Sequence, residues 1–356
     1  MPRSRQWKPT TASAADLDAA VQNLRAAASL IPLAAGRLSD LRERGTMSIQ
    51  TMATVSKKRA VAPPRRGLLH FLKRRPYLAF IVPPLLYVVS LTLYPALYSV
   101  FISFTNLNFG YVDWKFVGLA NYAKLLRWEY LPMVLGNTAI FVFGVSAIQI
   151  VLGFCIALVL NQRLPLRRTV RSVAVLPWIV PSIVIALLFQ QIFNGSRLGI
   201  ANYIVSLFGA EGRIWLSDPT MAMAIMIGAL VWRGLPLTII ILLGGLQTIP
   251  RDVYEASVVD GATPRQSFFN ITLPLMKPVL LINLIMVTSG NLNHLDIPFG
   301  LTGGGPSHQT EVLSVTLYTQ GFLQMDAGLA STVAVLMLGL NLLMTVFYVN
   351  VLRSRQ

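Results

Sequence analysis

The feature that most constrains this chain is a succession of apolar runs, each close to the ~20 residues that an α-helix needs to cross a bilayer. Hydrophobic residues make up 54% of the 356, and charged residues only 12%. That charged share is about half the share of an ordinary soluble domain. The pattern predicts an all-α integral membrane protein with six transmembrane helices. The predicted spans lie at about 79–104, 136–160, 170–193, 221–246, 273–295 and 329–352.

Several of these runs contain proline. Helical spans tolerate proline because neighbouring helices and side chains re-satisfy the freed backbone groups. We therefore expect these spans to bend at their prolines rather than to end there. The prolines concerned are Pro83, Pro84, Pro95, Pro177, Pro181 and Pro236.

The loops differ in their content of Lys and Arg, which predicts the orientation of the chain. Fifteen basic residues precede residue 79 and four lie in the 161–172 loop, whereas residues 291–328 contain none. Basic loops stay in the cytosol, so both termini and the 247–272 loop are expected on the cytosolic side. The protein itself is expected in the cytoplasmic (inner) membrane. The net charge of +16 then reflects topology and attraction to anionic lipid rather than nucleic-acid binding.

The N-terminal 76 residues form a separate region, a basic and flexible cytoplasmic tail by composition. Met47 and Met52 offer alternative starts, so residues 1–46 are either dispensable or an upstream misreading of the gene, or else a regulatory or membrane-surface arm. The transmembrane part of the chain then spans residues 77–352.

A polar insert stands between the fourth and fifth runs, from Pro250 to Pro278. Arg251 to Asp260 has helical character, and Gly261 can end a helix with a positive φ. Thr263, Pro264 and Gln266 then supply an N-cap, a proline at the first helical position and a capping-box glutamine. This segment predicts two short helices joined at a glycine elbow, with a small face at Ala256-Ser257 suited to a groove on another protein.

The insert resembles the EAA loop of binding-protein-dependent ABC import permeases. The resemblance rests on three pieces in order: Glu255-Ala256-Ser257, Asp260-Gly261-Ala262 and Ile271-Thr272-Leu273-Pro274. Further matches point to the carbohydrate branch of that family, the maltose and glycerol-phosphate permease group. They are Tyr94-Pro95, Ser103 to Asn106, Val117 to Tyr122, Leu176-Pro177, Trp232-Arg233 and Leu301 to Pro306.

The resemblance covers about residues 76–352 and implies a type I importer permease. Its coupling loop, residues 250–268, would sit in a cleft of a cytosolic ATPase dimer, which binds the ATP and Mg²⁺. The further partners implied are a second, homologous permease and an extracytoplasmic binding protein, which would dock at the loop Gly303-Gly304-Gly305-Pro306. Ser257 stands where the family usually has a second alanine.

Polar residues at membrane depth are candidates for the substrate pathway, because burying them in lipid is costly. Their amide, carboxylate and guanidinium groups suit sugar hydroxyls, although Asn in spans also joins helices and aromatics also form interfacial belts. The candidates are Arg233, Asn283, Asn291, Asn293, His294, Asp296 and Trp178. Neither a catalytic constellation nor metal-ligand spacing is found.

The energy source is expected to lie outside the chain. The sequence contains no GxxxxGK[ST] phosphate loop, and the predicted spans hold no Asp or Glu until Asp296 at an outer end. Gradient-driven transporters usually keep carboxylates within their spans. We therefore interpret the chain as a non-enzymatic permease that imports a disaccharide, an oligosaccharide or glycerol 3-phosphate. The alternatives are a gradient-driven secondary transporter and a non-transporting membrane scaffold.

Overall fold

The structure is a computed structural model that describes residues 76–110, 114–162, 175–196 and 199–353. The chain divides into two units, residues 1–82 and 83–356. The described part of the first unit, 76–82, consists of the opening turns of a helix. The second unit holds the helical bundle. The predicted basic tail lies outside the described residues, apart from Pro76, where that helix begins.

The described ranges are helical, as predicted, and they contain no strand, only two isolated bridges. In chain order the α-helices are α1 (Pro76–Ile102), α2 (Ala120–Leu126), α3 (Leu131–Asn161), α4 (Ser182–Ile192), α5 (Ile200–Leu207), α6 (Pro219–Thr248), α7 (Arg251–Val259), α8 (Pro264–Ser267), α9 (Leu273–Leu292), α10 (Asp296–Leu301), α11 (Leu313–Tyr318) and α12 (Ala327–Arg353). Residues 175–179 are also helical. Two π-helical turns, Phe268–Thr272 and Thr319–Leu323, follow α8 and α11.

Five helical stretches in these ranges are long and apolar enough to cross a membrane. They are α1, α3, α6, the continuous run from Pro264 to Leu292, and α12. The third predicted span, 170–193, is represented by residues 175–179 and by the 11-residue apolar helix α4. Its first residues lie outside the described ranges, so the count of six spans stays a prediction.

The expectation that every proline bends its span is wrong at Pro181. Val180 and Pro181 are not helical, and the backbone of Pro181 is extended, with ψ of 136°. Proline lacks an N–H and disfavours the helical conformation of the residue before it. Pro177, by contrast, lies within the helical residues 175–179. In α1, α6 and α9 the internal prolines leave the helix continuous, as expected.

The core of the bundle is the long contact between α3 and α6. Phe141 and Val145 of α3 and Met226 and Leu230 of α6 are fully or almost fully buried in it. Helices in lipid associate through close packing rather than a hydrophobic force, which favours small residues at their crossings. Gly153 is such a residue, because a Cβ there would lie 2.5 Å from a side-chain carbon of Thr238 on α6.

Helix α1 has a different surface from the others. None of its most apolar window is buried, and Tyr87 and Tyr94 are 66% and 68% exposed. A helix that is apolar all round requires a membrane or another protein around it. The exposed side chains of α1 between Phe80 and Ile102 are therefore expected to face lipid or a partner chain.

Candidate functional site

The polar insert has a bent structure that is consistent with the predicted elbow. Pro250 is extended and precedes α7, which ends at Val259. Gly261 has φ of +77°, a conformation open to glycine at little cost, and so confirms the predicted break. The capping box at α8 is also confirmed, because the Thr263 N–H donates to Gln266 Oε1 at 2.8 Å and the Gln266 N–H donates to Thr263 Oγ1 at 3.4 Å.

The second arm of the elbow differs from the prediction. It is a single α-helical turn that runs without interruption through the π turn Phe268–Thr272 into α9. The elbow is therefore α7 attached through Gly261 to the start of a spanning helix.

Hydrogen bonds brace the two arms against each other. The Tyr254 and Thr272 hydroxyls are 3.0 Å apart, and those of Ser257 and Ser267 are 3.1 Å apart. The Ala262 N–H donates to the Ser257 carbonyl at 2.9 Å. These contacts hold the angle of the elbow fixed in spite of the glycine.

The predicted small face at Ala256-Ser257 is exposed only in part. Ser257 is 7% exposed and points toward α8, whereas Ala256 is exposed. The reason is the hydrogen bond of Ser257 to Ser267, which turns that side of α7 inward. The outward face carries Glu255, Asp260 and two valines, Val258 and Val259, which are 71% and 87% exposed. This face of α7 therefore exposes apolar surface beside two carboxylates.

The root of the elbow is packed into the bundle. The Phe268 ring centroid lies 6.0 Å from that of Phe154 on α3. Phe154 belongs to a buried cluster with Leu242 and Leu246 of α6 and Met276 of α9. The elbow is thus connected to three helices of the bundle.

A second feature is a cavity of about 160 Å³ between α3, α6 and α9. Five of the predicted pathway residues line it, together with several residues that the sequence did not single out. The predicted ones are Arg233, Asn283, Asn291, His294 and Trp178, and the additional polar ones are Gln149 and Thr238.

Several buried polar atoms in this cavity lack a hydrogen-bond partner among the described residues. They are Arg233 Nε, Thr238 Oγ1, both side-chain polar atoms of Asn283, and His294 Nε2. Asn283 is 0% exposed and Thr238 is 1% exposed. A buried polar atom without a partner costs about 1–3 kcal/mol, so the arrangement calls for a polar ligand, water or a partner chain.

The charges around the cavity are few. The Arg233 guanidinium and the Asp296 carboxylate both act electrostatically on His294. Asp296 itself is exposed at the start of α10 and does not line the cavity. Asn293 is also exposed, and its amide donates to the Ser289 carbonyl at 2.8 Å. The structure therefore separates Asn293 and Asp296 from the other pathway candidates.

Gln149 and Thr238 were missed by sequence reasoning. Each is a single polar residue in a long apolar run, and such residues are common as hydrogen-bonding groups between helices. The signal that could have identified them is position. Gln149 lies near the centre of α3, where a free amide is costly.

The predicted docking loop is a compact turn. Gly303 and Gly304 have φ of +58° and +88°, and the Gly305 carbonyl accepts a hydrogen bond from Thr310 Oγ1 at 2.7 Å. The Asn137 amide of α3 donates to the carbonyls of His308 and Gln309, at 3.3 and 3.0 Å. The loop is thereby attached to the end of a span, and Pro306 at its tip is exposed.

Long apolar helices, a cavity whose mostly apolar wall carries several polar side chains, and a braced elbow fit a helical membrane permease. Residues 149–355 match the family described as binding-protein-dependent transport system inner membrane component. The chain belongs to this family, which confirms the predicted resemblance, and it is a transport component rather than an enzyme.

Named relatives lie within the same family. The chain is 38% identical over 241 residues to the trehalose/maltose transport system permease protein MalF of Thermococcus litoralis, which covers 68% of this chain and 81% of that protein. It is 31% identical over 265 residues to the multiple sugar-binding transport system permease protein MsmF of Streptococcus mutans, covering 72% and 88%. It is 30% identical over 276 residues to the sulfoquinovosyl glycerol transport system permease protein SmoG of Agrobacterium fabrum, covering 77% and 89%.

The fold matches a solved transporter. A bacterial ABC transporter involved in the import of the acidic polysaccharide alginate contains a chain that superposes with a TM-score of 0.68 at 21% identity, covering 81% of this chain and 98% of that one. At this identity the match shows the fold alone.

Proposed function

We propose that this chain is the permease subunit of an ATP-driven importer that carries a carbohydrate across the cytoplasmic membrane through the cavity between α3, α6 and α9. The observation that carries the proposal is the set of unpartnered polar atoms at Arg233, Thr238, Asn283 and His294. A sugar hydroxyl both donates and accepts, and these side chains offer both functions: Asn283 presents a donor and an acceptor, and Arg233 a donor.

Aromatic surface is the second requirement for a sugar, and Trp178 supplies it at the cavity wall. An indole face packs against the C–H groups of a sugar ring while the polar side chains bind its hydroxyls. The names of the relatives, which include trehalose/maltose and multiple-sugar systems, support a disaccharide or oligosaccharide, and glycerol 3-phosphate remains in the proposed class.

The elbow would transmit the energy for transport. An ATPase subunit that holds α7 by Val258, Val259 and Glu255 would move α9 when its dimer closes on ATP and Mg²⁺, because α8 continues into that span. The proposal includes a second homologous permease, a binding protein at the loop Gly303–Pro306, and both termini in the cytosol.

The test is purification of the tagged chain from native membranes in mild detergent, followed by mass spectrometry of its partners and of any bound solute. The proposal expects an ATPase, a second permease and a binding protein that holds a sugar or glycerol 3-phosphate. Uptake in proteoliposomes should then require ATP. Uptake driven by an ion gradient without ATP would indicate a secondary transporter, and a solitary chain without uptake would indicate a scaffold.

A further inference from the structure

Gln149 lies where three spanning helices meet. It is on α3, 2% exposed, and its side-chain N–H donates to the Leu230 carbonyl of α6 at 3.2 Å. Its side-chain oxygen accepts from the Asn291 amide of α9 at 3.5 Å, and the same amide donates to Ser146 Oγ of α3 at 3.1 Å. One polar cluster, formed by Ser146, Gln149 and Asn291 with the Leu230 carbonyl, therefore joins α3, α6 and α9.

A glycine makes this contact possible. Any Cβ at Gly234 would overlap the side-chain nitrogen of Gln149. In an α-helix the Leu230 carbonyl also accepts from the N–H four residues later, which is that of Gly234. The Gln149 amide thus reaches the backbone of α6 at the turn that contains Gly234, where the lack of a side chain on glycine leaves room for it.

The cluster borders the cavity on the sides that carry its unpartnered atoms. Arg233 precedes Gly234 and Thr238 follows it by about one turn on α6. Asn283 lies about two turns before Asn291 on α9. A change in the spacing of α6 and α9 at Gln149 would therefore change the separation of those polar groups.

We propose that Gln149 is a positioning residue: by holding the Leu230 carbonyl and the Asn291 amide, it sets the distance between α6 and α9 and thereby which solutes the cavity accepts. The inference rests on the proposed function, because it assumes that the transported solute passes through this cavity. Asn291, a pathway candidate by sequence, acts here through its bonds to α3.

The experiment uses the complete transporter in proteoliposomes with ATP inside, and one binding protein throughout. The external probe is an equimolar mixture of glucose, maltose, trehalose, maltotriose and glycerol 3-phosphate, with uptake of each measured by mass spectrometry. Because the binding protein is constant, a change in the ratio of two imported solutes must come from the membrane subunits. A general structural defect would lower all of them in proportion.

The variants are Gln149→Leu, Gly234→Ala, Gln149→Ala and the double variant Gln149→Ala with Gly234→Ala. Gly228→Ala on the same helix is the matched control, since a Cβ at Gly228 meets nothing within 4 Å. We expect Gln149→Leu to change the ratio of imported solutes by about tenfold, the factor that corresponds to one or two interhelical hydrogen bonds in a membrane. Gly234→Ala should lower uptake, because the Gln149 amide must move away from α6, and removing that amide in the double variant should restore a large part of it.

The results distinguish failure of the proposed function from failure of the inference about Gln149. If the wild-type transporter imports none of the probes with ATP, the proposed function fails. If the wild type imports them and Gln149→Leu keeps the same ratios, the inference about Gln149 fails alone. If Gln149→Leu does not assemble, the double variant decides, because uptake no higher than in Gly234→Ala contradicts the contact between the two residues.

Discussion

At the scale of single residues, Asn283 has the clearest conflict between stability and function. Its side chain is fully buried on α9, and neither amide atom has a partner among the described residues. Such a group lowers stability by its lost hydration, whereas an apolar side chain of the same shape does not. A residue that lowers stability at a cavity wall calls for a polar ligand, water or a partner chain to satisfy it.

Replacing Asn283 with Leu should therefore separate stability from transport. We expect the variant to be at least as stable as the wild type, because the unpartnered amide is removed. ATP-dependent uptake should fall by about tenfold or more, since about 1–2 kcal/mol of ligand hydrogen bonding is lost. Thermal unfolding in detergent and uptake in proteoliposomes measure the two effects.

Asn293→Leu is the matched control for this test. Asn293 is exposed beyond the end of the same helix, and its amide only returns to the Ser289 carbonyl. Its replacement should leave uptake near the wild-type rate. Equal losses in the two variants would contradict a special role for the cavity.

The sequence could predict Asn283 and Arg233 because a polar group in an apolar run is conspicuous. It could not predict that Asn293 and His294, which are adjacent, would differ in placement, one exposed and one at the cavity. That difference depends on where α9 ends, at Leu292, and on the turn that follows. Helix ends are decided by packing and local backbone geometry, which leave little trace in composition.

At the scale of elements, the elbow combines one permissive residue with several constraints. Gly261 allows the reversal, while the pairs Tyr254–Thr272 and Ser257–Ser267 fix the angle. A displacement of α7 would be passed on to α9 if the elbow keeps its angle, and it would be lost if the elbow bends freely. The hydrogen bonds therefore favour the proposed coupling through α7.

Gly261→Val tests the arm. A β-branched residue at φ of +77° is strained, so α7 should lose its fixed direction. We expect ATP hydrolysis to continue while uptake falls at least about tenfold, a change equivalent to roughly 1.4 kcal/mol in coupling. The control is Gly209→Val, which has φ of +75° after α5 and equally open surroundings. Unchanged uptake per ATP in Gly261→Val would show that the bend is not needed.

The exposed valines of α7 give a separate prediction about assembly. Val259→Lys should weaken the retention of the ATPase subunits, because a charge replaces an apolar contact at an 87% exposed position. Phe208→Lys, at an 85% exposed position after α5 on the predicted opposite side, should not. Co-purification yield of the ATPase measures both. Full retention in Val259→Lys would move the docking surface away from this face.

Some helix boundaries could be predicted from the sequence and others could not. The caps at Thr263 and Gln266 and the break at Gly261 follow local rules and were predicted correctly. The break at Pro181 and the π turn Phe268–Thr272 were not. At both places backbone N–H and C=O groups leave the regular helical hydrogen-bond pattern and need other partners. Tertiary packing decides whether such partners are nearby.

At the scale of the whole molecule, orientation rests on charge. The elbow follows the fourth predicted span and α5 lies in the preceding loop, so one spanning helix, α6, separates them. If the basic loops are cytoplasmic, these two segments lie on opposite sides of the membrane.

Cysteine labelling would check the orientation. In a Cys155→Ala background, which removes the one cysteine of the chain, cysteine is placed at exposed Ala210 or at exposed Asp252. We expect a membrane-impermeant maleimide to label Ala210→Cys in intact cells and Asp252→Cys only after permeabilisation. The reverse result would invert the topology, and labelling of both in intact cells would remove α6 as a span.

Helix α1 has a consequence for how the protein is made. It precedes the other spans, so it is the first of them to leave the ribosome, and none of its most apolar window is buried against the rest of the chain. Insertion of α1 into the bilayer therefore does not require the later helices. We expect α1 to be surrounded by lipid during synthesis, and a partner chain could replace part of that lipid when the complex assembles.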